Sequence, residues 1–153
     1  MNSVRAAVLL VLVTLMCGCS RPTSYERFVL LGDKEGDGRY HYTLDMSDSL
    51  CTYDISFYTR IDSNGNKLSG IKDFPLNVTF MSPSGQRYEE KVYFKVNGEA
   101  AAGSDFYSRQ YKVPYRSGLV PVEWGMWEMA VRIDSDRYIP GFRGLGVICK
   151  KNI

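Results

Sequence analysis

From Arg39 onward the chain alternates apolar and polar residues with a period of two, and turn residues interrupt and restart the alternation about seven times. Tyr40, Tyr42 and Leu44 share one parity while Arg39, His41, Thr43 and Asp45 take the other. Successive side chains of a strand point to opposite faces, so such a run predicts a strand with one buried and one solvated face. Cys51, Tyr53, Ile55 and Phe57 oppose Thr52, Asp54, Ser56 and Tyr58 in the same way, and Leu76, Val78 and Phe80 oppose Asn77, Thr79 and Met81. Val92, Phe94 and Val96 then oppose Lys91, Tyr93 and Lys95. Tyr111 with Val113, Trp127 with Met129, Val131 and Ile133, and Leu145 with Val147 and Cys149 complete the set. Between them lie Asp62-Ser-Asn-Gly-Asn66, Ser82-Pro-Ser-Gly85, Asn97-Gly98 and Pro140-Gly141, which supply the dihedrals of tight connections. Strands that are apolar on one face only are satisfied by two sheets packed face to face. The fold expected is all-β, an antiparallel β-sandwich of about seven to eight strands.

Two stretches fall outside this pattern. Ser24 to Leu31 and Asn97 to Asp105 show no convincing helical repeat and are expected as loops. The second, with its Ala100-Ala-Ala-Gly103 cluster, reads as a long surface excursion of the kind that often carries binding residues.

The N-terminus follows a different rule. A short basic start to Arg5 is followed by an unbroken apolar run from Ala6 to Met16, the pattern of a secretory signal. That run is too short to cross a bilayer core as a permanent helix. Met16-Cys17-Gly18-Cys19 then resembles a lipobox, and the small Gly18 favours Cys19 over Cys17 as the lipidated residue. The expected organisation is a lipoprotein signal peptide over 1–18, a lipidated Cys19 with a short polar tether over 19–25, and a single β-sandwich domain over 26–153. Acyl chains contribute about 0.8 kcal/mol per buried methylene, so more than one chain on Cys19 holds a protein at a membrane.

Charge and cysteine count narrow the picture further. The chain carries a formal net charge of +2, which falls to +1 when Arg5 leaves with the signal peptide. A near-neutral domain has no electrostatic case for nucleic acid or for an anionic membrane surface. Of the 4 cysteines, Cys51 and Cys149 remain once Cys17 is removed and Cys19 is acylated. In an exported chain they are candidates for a disulfide, with two separate buried thiols as the alternative.

Catalytic chemistry finds little footing. His41 is the single histidine and sits on the polar face of its strand, while Cys51 sits on the apolar face of another. Asp33-Lys-Glu35-Gly-Asp37-Gly38 has the opening of a calcium loop, but Leu44 stands where a bidentate Glu is needed, so a solvated turn is the better reading. The glycines of Gly141-Phe-Arg-Gly144-Leu-Gly146 lead into a strand and suit a bend or bulge better than a phosphate loop. No catalytic residue, metal or cofactor is expected. Eleven Tyr and 2 Trp exceed what a core of this size must bury. Exposed rings stack on sugars and anchor interfaces, so Tyr58, Tyr93 and Trp124 are candidates for an aromatic binding surface, against the alternative of simple cross-strand pairing.

Several segments, taken in order, resemble the GldH family of gliding-motility lipoproteins from the Bacteroidetes. They are Tyr53-Asp-Ile-Ser-Phe-Tyr-Thr-Arg60, Asp73-Phe-Pro-Leu76, Ser82-Pro-Ser-Gly85, Gly125-Met-Trp127 and Ile139-Pro-Gly-Phe-Arg-Gly-Leu-Gly-Val147. The family's tryptophan before the first strand has no counterpart between Leu31 and Tyr40. The resemblance implies a non-enzymatic component of the motility and secretion machinery, and the absence of an acidic run after Cys19, where surface-exported lipoproteins of that phylum resemble one another, favours an outer-membrane anchor facing the periplasm. Its partners would be other envelope proteins. A carbohydrate-binding lipoprotein using exposed aromatic residues is the alternative, with glycans as ligands.

Overall fold

The computed structural model describes residues 23–62, 71–96, 101–105 by backbone alone, and 108–153. Cys19, the signal peptide, 63–66 of the first turn and Asn97-Gly98 lie outside the described residues. The fold is the all-β antiparallel sandwich that the alternation predicts. A five-stranded sheet has the order β1 (Ser24–Leu30), β9 (Phe142–Asn152), β3 (Thr52–Asp62), β7 (Ser108–Leu119) and β6 (Ala101–Asp105). A four-stranded sheet has the order β2 (Tyr40–Met46), β8 (Gly125–Arg132), β4 (Phe74–Met81) and β5 (Arg87–Phe94). All pairings are antiparallel, yet only β4–β5 and β6–β7 are consecutive neighbours.

Two segments expected as loops are strands. Ser24–Leu30 pairs along its whole length with β9, from Ser24 opposite Lys150 to Leu30 opposite Gly144. It carries Val29 inward and Phe28 and Leu30 outward, so its two faces do not separate into apolar and polar. The pairing is set by the partner strand, which no local pattern reveals. Ala101–Asp105 is an edge strand that pairs with the start of β7 by backbone hydrogen bonds, for which Ala, Gly and Ser suffice.

The core lies between the sheets and is unusually rich in tyrosine. Tyr40, Tyr42 and Tyr53 are fully buried among Leu44, Met46, Ile55, Leu76, Met129 and Val147. Each phenol finds a partner, as a buried hydroxyl must. Tyr42 donates to the Leu145 carbonyl at 2.7 Å, Tyr40 to Asp136 Oδ2 at 2.8 Å, and Tyr53 to the Asp48 carbonyl at 3.2 Å. Burial, before any other cause, raises all three phenols above their ordinary value. Part of the tyrosine excess is therefore core material.

Cys51 and Cys149 are free, buried thiols, the second of the two readings that the sequence leaves open. The register sets Cys149 opposite Ile55, four positions along β3 from Cys51. At roughly 3.3 Å per residue that is about 13 Å, well beyond the roughly 7 Å that a disulfide spans between Cα atoms. Burial pushes the Cys149 thiol up to about 11. It behaves as a small apolar side chain.

The glycines of the last strand do form a bulge. The β3–β9 register slips between Thr59 and Ile61, and Gly144 at that point has φ of +152°. Two residues on, Gly146 stands between Phe28 on β1 and Tyr58 on β3. With no side chain in the middle, the two rings close over Gly146 with centroids 5.5 Å apart.

Candidate functional site

The three residues expected to form an aromatic surface are not brought together. Tyr58 points away from the core as its parity requires, but it is only 1% exposed. Its ring occupies the space over Gly146, beside Phe28. It is a packed cover of the outer sheet face, not a binding ring. Tyr93, 59% exposed, lies on the solvated face of β5 with Lys91 Nζ 5.8 Å from its ring centre. Trp124, 41% exposed, stands in the β7–β8 loop immediately before β8 and does not share a surface with Tyr93. Tyr93 pairs with Pro75 near one end of the sandwich, whereas Trp124 adjoins Gly125 and hence Met46 at the other.

A different aromatic site is assembled where β5 faces β7 across the open edge of the two sheets. Residues of alternating parity on β4, β5, β7 and β8 direct Phe80, Tyr88, Tyr115 and Trp127 toward one another. Phe57 and Tyr115 are 4.9 Å apart between ring centres, Tyr115 and Phe80 6.0 Å, Phe80 and Trp127 6.3 Å, and Trp127 and Tyr88 6.0 Å. This chain of rings runs from the core to the surface. It walls a cavity of about 230 Å³, with Met46 and Leu119 also lining it and Val120, Pro121 and Val122 forming its lip.

The polar groups of the mouth satisfy each other. Glu90 lies on the inward parity of β5, opposite Val78. Its carboxylate accepts from the Tyr115 hydroxyl and from Arg116 Nη2 at 2.6 and 2.8 Å. The Arg116 guanidinium also lies 4.5 Å over the Tyr115 ring. Burial first, and the Glu90 hydrogen bond second, raise the Tyr115 phenol above its ordinary value, so it stays a neutral donor. An inward charge on an edge strand also discourages pairing with a second chain. With the carboxylate, the phenol and the guanidinium tied together, the rest of the mouth's lining is largely apolar.

The lip is fixed by Glu123. Its carboxylate accepts from the Ser82 hydroxyl at 2.9 Å, the Ser84 hydroxyl at 2.6 Å and the Ser84 amide at 3.1 Å, tying the β7–β8 loop to the β4–β5 turn. Its backbone carbonyl takes the indole N–H of Trp127 at 2.9 Å. The two serine hydroxyls, Ser84 first, hold the Glu123 carboxyl below its ordinary value of 4.5. A depressed carboxyl stabilises the fold above its unfolded value and loses that contribution as pH falls through the folded one. Glu123→Gln is therefore expected to flatten the decline of melting temperature between about pH 5 and pH 3. Thermal unfolding of both proteins across that range checks it, and parallel curves would refute the assignment.

Other singled-out residues fall into structural roles. His41 Nε2 lies 3.0 Å from Asp37 Oδ2 on the solvated side of the four-stranded sheet, away from Cys51. Asp37 also accepts from the Arg39 amide at 3.0 Å and Gly38 donates to the Glu35 carbonyl at 2.8 Å, which makes the acidic cluster a closed turn. Among the described residues no group of three or more His, Cys, Asp or Glu side chains is placed to hold a metal. The solvated face of the four-stranded sheet holds a second, polar groove of about 380 Å³ lined by Arg39, Asn77, Thr79, Glu89 and Arg132.

No protein-family model matches the chain, and no curated protein matches it. Among solved structures, a carbohydrate-binding module specific for non-crystalline cellulose, CBM28, is similar at 12% identity and a TM-score of 0.36, over 84% of this chain and 72% of that one.

Proposed function

We propose that the chain is a lipid-anchored component of the bacterial envelope that works by binding another envelope protein, without catalysis. The mouth between β5 and β7 is the observation that carries this reading. Its ring-lined walls suit an aromatic side chain presented by a partner, a residue class enriched among interface anchors. Its charges are already paired, so an apolar guest leaves none of them stranded. The lipobox at Met16 to Cys19 supplies the anchor, most simply in the outer membrane facing the periplasm. The ordered resemblance to the GldH family supplies the role, an accessory part of motility and secretion machinery.

A photo-crosslinking side chain in place of Tyr88 tests the binding claim in cells. It is expected to capture a defined envelope protein, whereas the same group in place of the exposed Tyr138 captures none. No protein adduct at Tyr88, or the same adducts at both positions, would overturn it. Cys19→Ala should lose membrane association, and its recovery with membranes at wild-type levels would sink the anchoring claim.

The polar groove favours a second reading, glycan binding. Arg39, Asn77, Glu89 and Arg132 offer forked donors and acceptors suited to neighbouring hydroxyls, and Tyr93 presents an exposed ring on the same face. Calorimetric titration with soluble polysaccharides decides it, absence of heat counting against it.

A further inference from the structure

The strand registers collect one set of loops at a single end of the sandwich. β3 begins there, β9 and β7 finish there, and β2 and β8 meet there through Met46 and Gly125. Thr23 enters at that same end, its carbonyl accepting from the Lys151 amide at 2.8 Å. Three residues lie between Cys19 and Thr23, so four chain steps join them. Even fully extended they reach about 14 Å, so a lipid on Cys19 draws this end down to the bilayer surface.

The exposed apolar side chains concentrate on this same end. Leu50, 87% exposed, sits in the β2–β3 loop, and Val120, Val122 (74% exposed), Trp124 and Met126 sit in and just after the β7–β8 loop. Large apolar groups gathered on one side of a domain mark an interaction surface. Trp in particular suits the membrane–water boundary, where its ring is apolar and its N–H stays wet. The tether is too short for a third body of ordinary domain size to come between this end and the lipid.

We infer that this end of the sandwich rests on the bilayer, with Leu50, Val122 and Trp124 seated in the interfacial layer. The domain is thereby held in one orientation, and the mouth whose lip includes Val120 and Val122 opens at headgroup level, toward membrane-borne partners. The inference rests on the lipid-anchor reading.

The experiment uses the full chain, processed in a lipoprotein-modifying bacterium and reconstituted into phosphatidylcholine vesicles with and without brominated acyl chains. Trp124 emission is expected to fall at least twofold with the brominated lipid. Trp124→Phe, which leaves only the buried Trp127, should lose most of that quenching. Adding Tyr138→Trp to that variant places a reporter at the far end, where emission should be unaffected. The mass of the N-terminal peptide from the same preparation separates the two claims. An acylated peptide with unquenched Trp124, or equal quenching at positions 124 and 138, overturns the orientation alone, while a peptide without acyl mass overturns the anchor and the orientation together.

Discussion

Gly144→Ala is expected to destabilise the domain by about 2–6 kcal/mol. Two separate costs meet at this residue. Its φ of +152° belongs to a region that side-chain-bearing residues adopt only under strain of roughly 1–3 kcal/mol. A Cβ there would stand 2.1 Å from the Val29 carbonyl oxygen and 2.9 Å from Leu30 Cα, both backbone atoms of β1. Backbone in a paired ladder cannot step aside without opening β1–β9, so an overpacking cost of about 1–3 kcal/mol is added. The Thr59 hydroxyl, which donates to the Gly144 carbonyl at 2.6 Å from a fully buried position, would be disturbed as well. Gly146→Ala makes a useful contrast. Its Cβ would meet the Tyr58 ring at 2.3 Å, and a side chain can be removed where a backbone cannot. Tyr58→Ala should therefore rescue part of the loss in Gly146→Ala and none of it in Gly144→Ala. Urea unfolding of these four variants beside the wild type reads this, and a Gly144→Ala midpoint close to that of the wild type would refute it.

Asp136→Ala is expected to cost about 3–5 kcal/mol, the range for removing one partner of a buried ion pair. Asp136 lies in the 3-10 turn Asp136–Tyr138 before β9 and is buried. Its Oδ2 accepts from Lys34 Nζ at 2.7 Å and from the Tyr40 hydroxyl at 2.8 Å. Lys34 is itself largely covered, with its ammonium 5.4 Å from the centre of the Tyr40 ring. Without the carboxylate, a cation and a phenol remain buried with no acceptor. Asp136→Asn keeps an oxygen in place and should lose less. Pairing Asp136→Leu with Lys34→Met removes both charges and should recover much of the stability, because the attraction of such a pair barely exceeds its desolvation. Equal losses in the single and double variants would show that the ion pair is not the cause.

How far the sequence discloses this molecule depends on the range over which each feature is encoded. The seven alternating strands are local patterns and appear where the alternation puts them, except that β5 runs Arg87–Phe94, starting earlier than its pattern and stopping short of Lys95 and Val96. β1 is not local, because its pairing with β9 joins residues more than a hundred positions apart, and its own faces are mixed. Parity also says which face a side chain takes without saying whether that face is open. Tyr58 is on the predicted side, yet a glycine on the neighbouring strand lets its ring lie flat and disappear. The mouth draws on Met46, Phe80, Tyr88, Tyr115 and Trp127, and no spacing rule joins such distant residues. One signal was present. Extended back from Phe94 and Val92, the apolar parity of β5 meets Glu90, and a charge on the buried side of a strand predicts a partner across the core.

The pairing of β1 with β9 and of β9 with β3 has a consequence for how the chain comes to be folded. The strand nearest the C-terminus is an interior strand of the five-stranded sheet, and the strand nearest the N-terminus can dock only on it. A chain that emerges N-terminus first from a ribosome or a translocation channel cannot complete this sheet until Phe142–Asn152 has also emerged. Long-range pairing of this kind is slow, since large loops must close before contacts repay them. On the lipid-anchored, exported reading proposed above, that delay keeps the polypeptide threadable for as long as it is being threaded, and the sheet closes once the last strand is through.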